Sequence, residues 1–177
     1  MATVQPVQAD ATGRLLDDSF LRILPTPLRE PRRVWLSILT GWLLSILGSL
    51  ALAAIVSTVA PDLAKPDFNG VRGMLAVFLI VIFSPLLESL IMGGILVILL
   101  RFLSPAAAII SSALLWGAAH SLGALSWGFT IWWPFLIFST LFVVWRQRGF
   151  WTGVGVATAT HMLQNLGPAL ALIYHTS

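Results

Sequence analysis

Between Met74 and Leu100 the chain carries one ionisable side chain, Glu88. That run constrains the fold more than any other feature. A helix needs about 20 mostly apolar residues to cross a bilayer, and this stretch exceeds that. A surface helix in water would need a polar face, which this stretch lacks. Composition points the same way. The 177 residues are 58% hydrophobic and 10% charged, with a mean hydropathy of +0.92. A soluble domain carries about 25% charged residues. The sequence therefore predicts an all-α fold: a polytopic membrane helix bundle of about five transmembrane helices, with a short N-terminal cytoplasmic amphipathic segment.

Residues 1–33 read as that cytoplasmic or interfacial segment, and residues 34–177 as the transmembrane helical domain. The domain holds five apolar runs, at about 34–60, 71–103, 105–125, 127–145 and 150–174. The second run is too long for one straight crossing, so it must tilt, protrude or kink, and Pro85 is the kink point. In the N-terminal segment, GRLLDDSFLRIL places Leu16, Phe20, Ile23 and Leu24 on one helical face. Arg14, Asp18 and Arg22 fall opposite, and Pro25 and Pro27 stop the pattern. This reads either as a helix lying in the membrane interface or as a loosely ordered tail.

Charge placement sets orientation. The acidic residues other than Glu88 are Asp10, Asp17, Asp18, Glu30, Asp62 and Asp67, all in the N-terminal segment or one polar loop. With the N-terminus inside, the inner face receives Arg14, Arg22, Arg29, Arg32, Arg33, Arg101, Arg146 and Arg148, and the outer face only Lys65 and Arg72. The positive-inside rule thus places the N-terminus in the cytoplasm. These arginines flank apolar runs and read as topology signals, so no nucleic-acid partner is expected. Trp127, Trp132 and Trp133 suit one interfacial aromatic belt, and Trp145 and Trp151 the other. The chain has no cysteine, which excludes disulfides, thiol nucleophiles and thiolate metal sites.

Polar residues interrupt the apolar runs at comparable depth. At 1.5 Å per residue, Glu88 lies ~20 Å, His120 ~24 Å, His161 ~18 Å and Asn165 ~24 Å from the inner ends of their helices. His161 and Asn165 share a helical face through their i, i+4 spacing. Each has a packing alternative: a protonated glutamate bonded to another helix, a histidine satisfied in the bundle, an interhelical clamp. Burying the Glu88 charge costs about 2.5–3.5 kcal/mol or more, so an intramembrane glutamate is a functional candidate by default. His175, at the end of the chain, reads as solvated. Gly93 and Gly94 read as sites of close helix approach.

Several intramembrane hydrolytic chemistries lack their residues here. There is no H-E-x-x-H zinc motif, no Gly-x-Ser within a run, and no pair of intramembrane aspartates. A carboxylate, two histidines and an asparagine remain.

These residues carry a family resemblance, spread over about residues 70–166. PLLESLIMGG supplies Pro85, Glu88 and Gly94; WGAAH supplies Trp116 and His120; HMLQN supplies His161 and Asn165. In order and interval this resembles the CPBP family of intramembrane proteases, which includes the CAAX prenyl endopeptidases and bacterial Abi proteins. Two positions depart from the family pattern: Ser89 stands for a second glutamate and Gly93 for an arginine. The absent pair are i, i+4 partners of opposite charge, so their joint loss leaves no orphan charge.

The resemblance implies a glutamate-dependent endopeptidase of the bacterial inner membrane, acting on a membrane-associated peptide or protein with no cofactor. It implies that Glu88 and His120 activate a water, and that His161 and Asn165 stabilise the oxyanion. A metal variant would use Glu88, His120 and His161 as three ligands. The other implied reading is a non-catalytic relative, serving as a scaffold or immunity-type partner in a membrane complex.

Overall fold

The computed structural model describes residues 15–66 and 73–175, with side chains through residue 171. Asp10, Arg14, Asp67, Arg72 and the side chain of His175 lie outside the described residues, as do the first residues of the second apolar run. Among the described residues all regular structure is helical. The helices are α1 (Thr26–Arg29), α2 (Val34–Val59), α3 (Gly73–Leu99), α4 (Pro105–Ser121), α5 (Leu125–Trp145) and α6 (Phe150–His175).

Three helices are long and apolar enough to cross a membrane: α2, α3 and the segment Leu125–Arg148 that contains α5. The short connections from α3 to α4, α4 to α5 and α5 to α6 make sequential neighbours antiparallel. Ser104 caps α4, accepting from the Ala107 N–H, and Pro105 occupies the first turn, where its missing N–H costs nothing. The chain turns from α5 into α6 at Gly149, whose φ of +127° is one that side-chain-bearing residues rarely adopt.

The centre of the bundle is α5, which packs on α2, α4 and α6. From Pro134 to Trp145 every residue of α5 is buried. The outer helices invert the pattern of a soluble protein. In α2 the buried residues are Ser37, Ile38, Gly41 and Ser45, while Trp35, Leu43, Leu47 and Leu50 are exposed. In α3, Ser89, Met92, Gly93 and Leu96 face inward and Leu86, Leu87, Ile91 and Ile98 outward. Lipid tails solvate leucine as well as a protein core does, so small and polar residues go to the helix contacts. A Cβ on Gly48 would overlap the Trp133 ring, and the Trp133 indole donates to the Leu44 carbonyl at 2.8 Å. Ser45 donates to Gln164 at 2.7 Å, joining α2 to α6.

The N-terminal segment does not form the expected single apolar face of Leu16, Phe20, Ile23 and Leu24. Ser19 donates to the Leu16 carbonyl and accepts from the Leu21 N–H, diverting the backbone into a 3₁₀ turn at Phe20–Ile23. Arg29 pairs with Asp17 and donates to the Leu24 carbonyl, folding the segment back on itself. Leu16, Leu21, Leu24 and Leu28 then join the main core, whereas Phe20 and Ile23 are 60% and 85% exposed.

The tryptophans also depart from a simple belt. Trp145 is buried and Trp133 bonds α2, whereas Trp151 is exposed. Gly93 lies against the Phe142 ring, but nothing approaches Gly94.

Candidate active site

The site begins with an irregularity in α3. Between Phe78 and Phe83 the helix is π-helical, and the Ser84 N–H bonds the Leu79 carbonyl five residues back. Regular α-helix resumes at Ser84, with Pro85 in its first turn. Glu88 follows one turn later. The Ser84 hydroxyl donates to Glu88 Oε1, as the i, i+4 spacing allows. The other carboxylate oxygen, Oε2, lies 3.9 Å from His120 Nε2 on α4. The two side chains are 20% and 12% exposed, so the pair is mostly enclosed by the protein.

His120 is held in one orientation. Its Nδ1 is 2.9 Å from the Trp116 carbonyl one turn earlier. A carbonyl only accepts, so Nδ1 carries the proton, and in the neutral ring Nε2 presents a lone pair toward Glu88. Aromatic rings fix the plane: Trp127 meets His120 edge-on at 4.6 Å, and Phe135 lies at 5.5 Å. Trp116 stacks on the same Phe135 at 4.5 Å.

Phe135 also touches His161, at 5.4 Å, so the two histidines contact one ring. His161 is 4% exposed, stacks on Phe138 at 4.6 Å, and its Nδ1 has no hydrogen-bond partner. Asn165 is committed elsewhere: its Nδ2 donates to the Ile80 carbonyl in the π-helical stretch at 3.0 Å. Thus the structure brings Glu88 and His120 together, sets His161 against the same Phe135 ring that His120 contacts, and uses Asn165 to tie α6 to α3. Among the described residues, no three His, Cys, Asp or Glu side chains group to hold a metal ion, so Glu88, His120 and His161 do not form a three-ligand set.

Neither family models, nor curated proteins, nor solved structures give a match to this chain. The chemistry must be read from the arrangement itself. A carboxylate and an imidazole lone pair that face each other can hold and deprotonate one water. A cleft of about 610 Å³ runs between the end of α2, the 60–66 loop and the start of α5. Trp127 lines this cleft as well as touching His120.

Three contributors escaped the sequence reading. Ser84 was visible in principle, since it stands four residues before Glu88. Phe135 had no signal among the many aromatics of its run. The Ile80 carbonyl could have been suspected only from Pro85 and a wide helical turn together.

Proposed function

We propose that this protein is a CPBP-like intramembrane endopeptidase that hydrolyses a peptide bond of a membrane-associated substrate. The observation that carries the reading is the facing pair, Glu88 Oε2 and His120 Nε2 at 3.9 Å, set in the apolar interior of a helical bundle. A water between them gives its proton to the pair while its oxygen bonds the scissile carbonyl carbon. The C–N bond then breaks, and the proton passes to the leaving nitrogen, giving a carboxylic acid and an amine. Ser84 leaves Oε2 free by occupying Oε1. In this reading the oxyanion donor is Nδ1 of His161, in the tautomer that protonates it; that atom is buried against Phe135 and Phe138, so substrate must displace those rings to reach it.

The bundle crosses a bacterial inner membrane five times in this reading, with a cytoplasmic N-terminus. Besides the three long apolar helices, α4 and α6 complete the crossings. At 17 residues α4 extends about 25 Å. It is therefore the crossing that needs flanking turns or a thinned bilayer.

A second reading has its own observation. The Asn165–Ile80 bond and the burial of His161 between Phe135 and Phe138 are what polar residues do when they join helices. A non-catalytic scaffold or immunity-type partner in a membrane complex would use the cluster in that way.

The deciding experiment compares the membrane proteomes of cells expressing the wild type and Glu88→Gln. A peptidase leaves uncleaved membrane-associated proteins in the variant, with new termini only in the wild type. Identical termini in both, with the variant folded and inserted, would rule out the peptidase and favour the scaffold.

A further inference from the structure

The π-helical stretch creates a gap in the backbone bonding that one side chain fills. In the wide register each N–H bonds the carbonyl five residues back, and Ser84 bonds Leu79 in this way. The next donor in that register, the one for Ile80, would be residue 85. Residue 85 is proline and has no N–H. In the α register the donor for Ile80 would be Ser84, whose N–H is already spent on Leu79. Ile80 therefore loses both helical donors, and water does not replace them in an apolar surrounding. Asn165 Nδ2, from α6, donates to that carbonyl at 3.0 Å.

We infer that Asn165 and Pro85 form a latch that aims Glu88: Asn165 replaces the backbone donor that Pro85 lacks, and so fixes the wide turn that carries Ser84 and Glu88 toward His120. The reason is angular. A wide turn inserts one residue relative to α-helical phase, which rotates everything after it by roughly 100°. If the wide turn closed into regular helix, the Glu88 side chain would leave its direction toward His120. Asn165 is thereby a positioning residue acting through the helix backbone: its Nδ2 bonds the Ile80 carbonyl, whereas Glu88 accepts from Ser84 and His120 donates to the Trp116 carbonyl. The consequence for catalysis rests on the peptidase reading, but the latch itself does not.

The test is a double-variant cycle on the full chain in detergent, read as the unfolding midpoint. In the Pro85 chain, Asn165→Ala should lower the midpoint by about 2–4 °C, the scale of one lost hydrogen bond in a chain of this size. Pro85→Ala restores a backbone donor to Ile80 in either register, residue 85 in the wide one or Ser84 in the α one. In that background Asn165→Ala should leave the midpoint unmoved. Equal losses in the two backgrounds would overturn the latch. Asn165→Leu, which fills the space without donating, should lose as much as alanine; wild-type stability in Asn165→Leu would also overturn it. If Asn165→Ala does not accumulate, accumulation of the double variant supports the latch, and failure of the double variant beside a folded Pro85→Ala refutes it. The aiming of Glu88 has a separate readout. Infrared difference spectra against Glu88→Gln isolate its carboxyl band, which should shift in Asn165→Ala. An unmoved band would show that Asn165 stabilises without positioning. None of these measurements requires a substrate, so they stay readable if the peptidase reading fails.

Discussion

Oε2 of Glu88, on α3, stands 3.9 Å from Nε2 of His120, on α4. Each side chain is held by its own helix one turn away, Glu88 by the Ser84 hydroxyl and His120 by the Trp116 carbonyl. The distance between them is therefore set by helix packing and not by a direct bond. If that pair activates water, Glu88→Gln and His120→Ala should each lower turnover by about 10²–10⁴-fold, the range of one general base. Ser84→Ala removes one hydrogen bond to the carboxylate and should cost roughly fivefold. Cleavage of a peptide substrate identified from the proteome comparison measures all three; wild-type turnover in either of the first two would remove the pair from the mechanism.

Gly93 and Gly94 should respond oppositely to alanine. A Cβ at Gly93 would sit 2.8 Å from Phe142 Cε2, whereas one at Gly94 meets nothing. Gly93→Ala should destabilise by about 1–3 kcal/mol through overpacking. Gly94→Ala should stabilise by about 0.5–1 kcal/mol through helix propensity. Thermal unfolding in detergent compares them. Phe142 also blocks any long side chain at residue 93, so Gly93→Arg should fail to fold even when paired with Ser89→Glu.

The contact of α2 with α6 depends on a buried amide. Gln164 accepts from Ser45 at 2.7 Å and donates to Ser49 at 3.3 Å. Ser45→Ala and Gln164→Ala should show a coupling of about 0.6–1.7 kcal/mol in a double-mutant cycle, the range found for hydrogen bonds between membrane helices. A coupling of zero would mean that the two helices are joined by packing alone.

Topology is open to a direct test. Reporter fusions after Lys65, Gly123 and Ser177 should read outside the cytoplasm, and those after Leu103 and Arg148 inside it. A fusion after Ser177 that reads inside would replace the five-crossing arrangement with an even number.

Some helix ends were legible in the sequence, whereas α3 and α4 stop at Leu99 and Ser121, four residues short of the expected 103 and 125. The described α2, α5 and α6 begin and end within two residues of the apolar runs at 34–60, 127–145 and 150–174. Apolar length, proline, glycine and charge are local properties, and they suffice to start and stop a helix. The spacing of His161 and Asn165, and the isolation of Glu88, were legible for the same reason. Which partners those side chains meet was decided only by the tertiary structure. Asn165 bonds a backbone carbonyl that Pro85 and a wide turn leave unpaired, and a carbonyl is the same at every position of the sequence. His120 and His161 share Phe135 because α5 lies between their helices, an arrangement that residue spacing along one helix cannot encode. The N-terminal leucines read as one face of a helix, but Ser19 and the Arg29–Asp17 pair fold them into the core. Local periodicity fixed what could be a helix; the competition among packing, side-chain bonds and unpaired backbone groups fixed where each side chain went.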